Sequence, residues 1–166
     1  MTLQFAPATA VEDLAAIERI AREIWYEYYV PIIGRAQVDY MVPKFQSSAA
    51  MMEQIRDGYE YFAMQQDGEL IGYTAVQAQP EAGRLFISKL YLHAHARGRG
   101  TGRAAMEFLE QIARQRGLGL LWLTVNKENP AVQAYRRMGF QIAEAIEIDI
   151  GGGFVMDDFR MEKRLS

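Results

Sequence analysis

Residues 95–103 read His-Ala-Arg-Gly-Arg-Gly-Thr-Gly-Arg and run directly into an apolar helical pattern. Gly98, Gly100 and Gly102 let backbone amides approach a ligand without Cβ obstruction. Amides at a helix N-terminus have no partner within the helix and carry partial positive charge, which suits a phosphate. Arg97, Arg99 and Arg103 bring full charges to the same corner. The chain as a whole is acidic, with 18 Lys+Arg against 21 Asp+Glu and a net charge of −3. A cationic nest on an acidic body points to a small polyanion. The Gly-Lys-Ser/Thr of a nucleotide-hydrolysing loop is absent. Gly100-Thr101-Gly102-Arg103-Ala104-Ala105 fits a dinucleotide fingerprint with Ala in its last place. It arrives after five predicted elements, however, and too little chain follows for the second half of such a sheet.

Composition removes other chemistries. There is no cysteine among the 166 residues, so disulfides, thiolate metal sites and cysteine nucleophiles are excluded. The only histidines, His93 and His95, have no evident ligand partners, and no metal site is expected. A weakly acidic chain is a poor general nucleic-acid binder. No apolar run reaches the ~20 residues of a membrane span. The N-terminus lacks the basic and apolar segments of a secretion signal, so the cytoplasm is the expected compartment. Without internal repeats or linkers, residues 1–166 read as a single domain.

The elements that position the loop follow from pattern. Leu3–Pro7 is a short strand. Thr9 and Glu12 form a capping box ahead of a helix to about residue 27, with Leu14, Ile17, Ala21, Ile24, Trp25 and Tyr28 at helical spacing. Pro31 stops it. The chain to Asp57 is irregular or short helix, best over Ser47–Arg56. Asp67-Gly68 is a two-residue turn between strands at Tyr59–Gln66 and Glu69–Gln79. Arg84–Leu92 is a strand. The helix after the glycine-rich loop buries Ala104, Ala105, Phe108, Leu109 and Ile112 and ends at Gly117. Leu120–Val125 is a buried strand. Asn129 caps a short helix, with Pro130 at its first position, that closes at Gly139. Two strands, Phe140–Ile148 and Phe154–Lys163, complete an α/β (α+β mixed sheet) fold with helices on its faces.

At this point the chain resembles the GNAT superfamily of acyl-CoA-dependent N-acetyltransferases. That family's signature is Arg/Gln-x-x-Gly-x-Gly/Ala after a central strand, and Arg97-Gly98-Arg99-Gly100-Thr101-Gly102 matches it. Leu90-Tyr91-Leu92 resembles the strand end that pairs with the pantetheine arm of acetyl-CoA. A second family element is matched by Leu123-Thr124-Val125-Asn126, Asn129-Pro130-Ala131, Tyr135 and Gly139-Phe140. The ending Gly-Phe-Val-Met-Asp-Asp-Phe-Arg-Met-Glu-Lys is similar to bacterial polyamine-type members. The resemblance implies about seven mostly antiparallel strands, a parallel, splayed central pair and about four helices. It implies acetyl-CoA as cofactor, held by the backbone of Leu90 and Leu92, by Arg97, Gly98, Arg99, Gly100, Thr101, Gly102 and Arg103, and by Asn126, Asn129, Tyr135 and Arg137. Tyr135 would be the general acid that protonates the departing thiolate. Core packing with Ala131 and Met138 is the alternative role for this ring, and helix capping is the alternative for Asn129.

The base is not assigned. Several branches carry a glutamate where Phe86 stands, and the alternate position holds Ser88. A water chain, His93, Glu81 or a late-strand carboxylate are the substitutes. The resemblance places the acceptor pocket among the first helices and last strands, where Trp25, Tyr28 and Tyr29 and the carboxylates Glu23, Glu27, Asp39, Glu144, Glu147, Asp149, Asp157 and Asp158 suit a cationic amine. The expected acceptor is a small-molecule amine, polyamine-like, or a peptide amine. The transfer is direct, with no covalent acetyl-enzyme. A homodimer is a further implication of the family. The rival reading is a non-catalytic acyl-CoA-binding module.

Overall fold

The computed structural model describes residues 2–166. Seven strands form one sheet in the order β1-β2-β3-β4-β5-β7-β6. In chain order they are β1 (Leu3–Pro7), β2 (Tyr59–Gln66), β3 (Glu69–Gln79), β4 (Arg84–Leu92), β5 (Leu120–Asn126), β6 (Gln141–Gly151) and β7 (Phe154–Arg164). The helices are α1 (Val11–Tyr28), α2 (Val30–Ile33), α3 (Arg35–Phe45), α4 (Ser48–Arg56), α5 (Thr101–Gln115) and α6 (Ala131–Arg137). The β2–β3 turn takes the expected hairpin form, with Asp67 at φ 53 and Gly68 at φ 82.

Cα packing groups the chain into two compact units, Met1–Gln77 with Lys89–Gly102 and Ala78–Ser88 with Arg103–Ser166. In the first, β1 pairs antiparallel with β2 and β2 with β3. Its core joins one stripe of α1 (Leu14, Ile17, Ala21, Ile24) to Met51 of α4 and to Tyr61, Tyr73 and Ala75. In the second, β4 and β5 run parallel through Arg84↔Leu120, Leu85↔Leu121 and Phe86↔Trp122. β7 lies antiparallel between β5 and β6. Ala105, Met106, Leu109 and Ile112 of α5 and Leu85, Leu121, Leu123 and Met161 of the strands are buried there.

The helical region departs from expectation in three places. Ala10, not Thr9, is the N-cap of α1, and no side chain caps it. Glu12 and Asp13 still lie in the first turn, where carboxylates favour the helix dipole. Pro31 sits inside α2, near its start, where a missing N–H costs nothing. α4 lies where the sequence places a helix, at Ser47–Arg56, but residues 30–45 add α2 and α3, so the described residues hold six helices in place of about four. Gly34, at φ 86, separates α2 from α3, and Ser47 caps α4 by accepting the Ala50 N–H at 3.1 Å.

Candidate active site

Two glycines set the geometry of the arginine-rich loop. Gly98 (φ +75) and Gly100 (φ +80) occupy the left-handed region, and a Cβ at either would meet nothing within 4 Å. The space on the Cβ side of both glycines is therefore open, and the loop leads into α5, whose first residue, Thr101, is buried. Gly102 stands against Leu92, whose Cδ1 would be 3.9 Å from an added Cβ. Arg99 and Arg103 are exposed. Arg103 also lines a groove of about 450 Å³ along α5, with Glu107, Glu110, Met138 and Lys163.

Arg97, expected from the sequence to bring a charge to the anion, is tied to the protein's own groups. Its Nε donates to Leu92 O at 3.0 Å, and its guanidinium pairs with Glu27 at 2.7 Å and lies 4.6 Å from the Tyr28 ring centre. The side chain fastens the start of the loop to α1. One turn earlier on α1, Glu23 pairs with His93 Nε2 at 3.3 Å. His95 Nε2 reaches Glu69 at 3.6 Å, and the two Nδ1 atoms meet at 2.5 Å. One of those rings must accept there, since two N–H groups cannot share the contact. Residues 93–97 are thus tied to α1 and β3 by a chain of carboxylates and imidazoles that the sequence did not reveal.

The three aromatic candidates gather beside β4. Trp25 is 4% exposed, stacks on Tyr29 at 4.3 Å and meets Tyr91 edge-on at 5.5 Å. Tyr29 lies edge-on to Tyr91 at 6.0 Å. Behind them is a residue not foreseen, Lys89, buried on β4. Its Nζ donates to Phe45 O at the end of α3, and it sits 5.2 Å from the Tyr61 ring centre. Burial pulls its ammonium down to about 7. Gly72 was also missed: its Cβ would stand 2.3 Å from Tyr91 O.

In the second unit Asn126 and Asn129 shape the turn that ends β5. Asn126 Oδ1 accepts the Glu128 N–H at 2.8 Å, and Asn129 Oδ1 accepts the Ala131 N–H at 2.8 Å. Pro130, not Asn129, is the N-cap of α6, with αR angles of φ −57 and ψ −21, and the Asn129 side chain still serves the helix start through its bond to Ala131 N. The short helix carries Tyr135, half-buried and tilted against Phe140 at 5.7 Å, and ends at the exposed Arg137.

Phe86, at the position where a carboxylate was sought, stacks on Trp122 at 4.1 Å. Two arginines also lie near the Trp122 ring, Arg84 at 4.9 Å and Arg160 at 5.0 Å from its centre. Most late-strand acids are exposed or engaged: Asp149 accepts the Gly151 N–H, and Asp157 pairs with Lys127 at 2.6 Å. Asp158 alone among them is buried, and burial with the neighbouring Asp157 charge pushes its carboxyl up to about 6. Among the described residues, no cluster of three or more His, Cys, Asp or Glu could hold a metal ion, and no helix is long and apolar enough to cross a membrane.

The fold and these motifs define a class. Residues 15–140 match the model of the acetyltransferase (GNAT) family, and the chain belongs to that family. It is 42% identical over 85 residues to the streptothricin acetyltransferase of Streptomyces lavendulae, across 51% of this chain and 45% of that protein. It is 28% identical over 94 residues to the peptidyl-lysine N-acetyltransferase YiaC of Escherichia coli strain K12, across 54% of this chain and 58% of that one. The chain spans about half the length of these curated relatives. Among solved structures it resembles the PaiA N-acetyltransferase of Thermoplasma acidophilum in complex with coenzyme A, with a TM-score of 0.81, 21% identity and 99% coverage of both chains.

Proposed function

We propose that residues 1–166 act as one acetyl-CoA-dependent N-acetyltransferase domain that moves an acetyl group directly to a primary amine. The observation that carries this reading is the open, left-handed Gly98 and Gly100 corner leading into α5, fastened to α1 through Arg97 and Glu27. Such a corner suits a diphosphate, because no side chain stands on its glycines and Arg99 and Arg103 are exposed beside it. The amides of 98–102 and those two arginines would hold the diphosphate, and the backbone of Leu90 and Leu92 would accompany the pantetheine arm. When bound, the thioester supplies the activated acetyl group.

The chain's own residues then orient and move protons. Tyr135, on the helix whose first N–H is held by Asn129, donates a proton to the departing sulfur. The Trp25, Tyr29 and Tyr91 cluster and the nearby carboxylates of α1 favour a cationic amine. The similarity to a streptothricin acetyltransferase supports a small-molecule acceptor, with a peptide lysine as the second class. Incubating the protein with acetyl-CoA, a thiol reagent and a panel of streptothricin-type amines, polyamines and lysine peptides tests the reading. Thiol release that depends on one amine class is expected. CoA binding without release for any amine would instead favour a non-catalytic acyl-CoA-binding module, a reading to which the Phe86–Trp122 stack lends support.

A further inference from the structure

Amine acylation leaves one proton unassigned, because an ammonium has no lone pair and a lysine-like amine is protonated at neutral pH. We infer that Asp158 is the group that accepts this proton and serves as general base toward the acceptor, an inference that rests on the transferase reading above.

The strand register puts Asp158 on a defined face. Trp122 pairs with Glu162, Thr124 with Arg160 and Asn126 with Asp158. Directly opposed residues project to the same side of a sheet. β4 joins that side through Phe86↔Trp122, and the 4.1 Å stack of those rings marks it. The face therefore runs from the aromatic pair, past Thr124 and Arg160, to Asn126 and Asp158 at the end of β5. There Lys127 N donates to Asp157 O at 3.1 Å, so β7 anchors the turn that leads into α6 and Tyr135.

Asp158 is a buried carboxyl on that face and not a surface acid. It is 3% exposed. The cations around it are paired elsewhere: Lys127 with Asp157 at 2.6 Å, and Arg160 with Glu162 at 2.6 Å and Glu144 at 3.9 Å. The hydroxyl of Thr124 donates to it, and Ile146 faces it from β6. The charges that act on it are thus Asp157 from its own strand and Lys127 from the β5 turn, with Glu147 of β6 acting on Lys127. A buried carboxyl whose neighbouring cation, Lys127, is paired with another carboxylate is costly to keep for structure alone. Raised to about 6, it is ionised at neutral pH yet basic enough to take a proton.

The atoms balance. Asp158 takes one proton from the ammonium; the freed nitrogen lone pair bonds to the carbonyl carbon of the thioester. The carbon–sulfur bond breaks with its electron pair on sulfur, and sulfur takes the Tyr135 hydroxyl proton. Tyr135 recovers the second nitrogen proton, and Asp158 releases its own to water.

The test compares wild type with Asp158→Asn and Asp158→Glu. In wild type, kcat/KM should rise with pH through a midpoint near 6. Asp158→Asn should lose at least about 100-fold in kcat and that acidic limb, with CoA affinity by calorimetry unchanged, while Asp158→Glu recovers part of the rate. Independently of turnover, 13C-labelled aspartate in the free protein should show a carboxyl titrating near 6 that Asp158→Asn removes. Wild-type turnover with an unaltered limb in Asp158→Asn overturns the inference alone, as does an Asp158 carboxyl that titrates near 3.8. Absence of wild-type turnover with every amine overturns the transferase reading as well.

Discussion

Asp158→Asn should make the protein more stable while making it slower. Burial, followed by the charge of Asp157, raises the Asp158 carboxyl from 3.8 to about 6, so the folded chain holds this proton more tightly than the unfolded one. As pH rises through that window the unfolded carboxyl ionises first, and stability falls. The penalty is absent below 3.8 and complete above about 6. A shift of that size corresponds to about 2–3 kcal/mol once solvent screening is allowed for. Asparagine has the same shape, can keep the Thr124 hydroxyl as a partner and never ionises. Urea denaturation at pH 7.5 should show the variant more stable by about 2–3 kcal/mol, with the slope unchanged and the difference gone at pH 3.5. A variant less stable than wild type at both pH values would mean that the carboxylate is a structural partner, and the reasoning from burial would be wrong.

Three further outcomes follow from the geometry. Gly72→Ala places a Cβ 2.3 Å from Tyr91 O, so β3 or β4 must shift, and a loss of about 1–3 kcal/mol is expected in thermal or urea unfolding. Arg97→Ala and Glu27→Gln each release the loop from α1, so each should weaken CoA binding, and the double variant should be no worse than either; additive losses would show that Arg97 acts on the anion directly. Tyr135→Phe should lower kcat with little change in CoA affinity, because a proton donor to the leaving sulfur acts in the transition state, and an unaltered kcat would leave the ring a packing partner of Phe140.

What could be read from the sequence was local. β2, β3 and β4 are found where alternation and the Asp67-Gly68 turn place them, and α5 where its apolar stripe does. The glycine-rich loop was visible because its residues are contiguous. α4 also lies where Ser47–Arg56 reads as helix, whereas α2 and α3 were not visible, since Gly34 divides residues 30–45 into two helices that pack against α1. Long-range partners were equally hidden. Nothing local tells that Arg97 will find Glu27, or that Lys89 will be buried against the end of α3. Asp158 sits among polar residues and reads as facing water; its neighbours, Thr124 and Asn126 of β5 and Ile146 of β6, are brought to it only by the strand pairing. The Phe86–Trp122 stack, likewise, needs the parallel register of β4 and β5.

The grip of the 98–102 amides on a diphosphate is tested most directly by calorimetry with two ligands, coenzyme A and pantetheine, which shares the thiol arm but lacks the phosphates. Binding of coenzyme A at least about 100-fold tighter than pantetheine, and loss of most of that difference in Gly100→Val, is the predicted result. Equal affinity for the two ligands, or an undiminished difference in Gly100→Val, would contradict it.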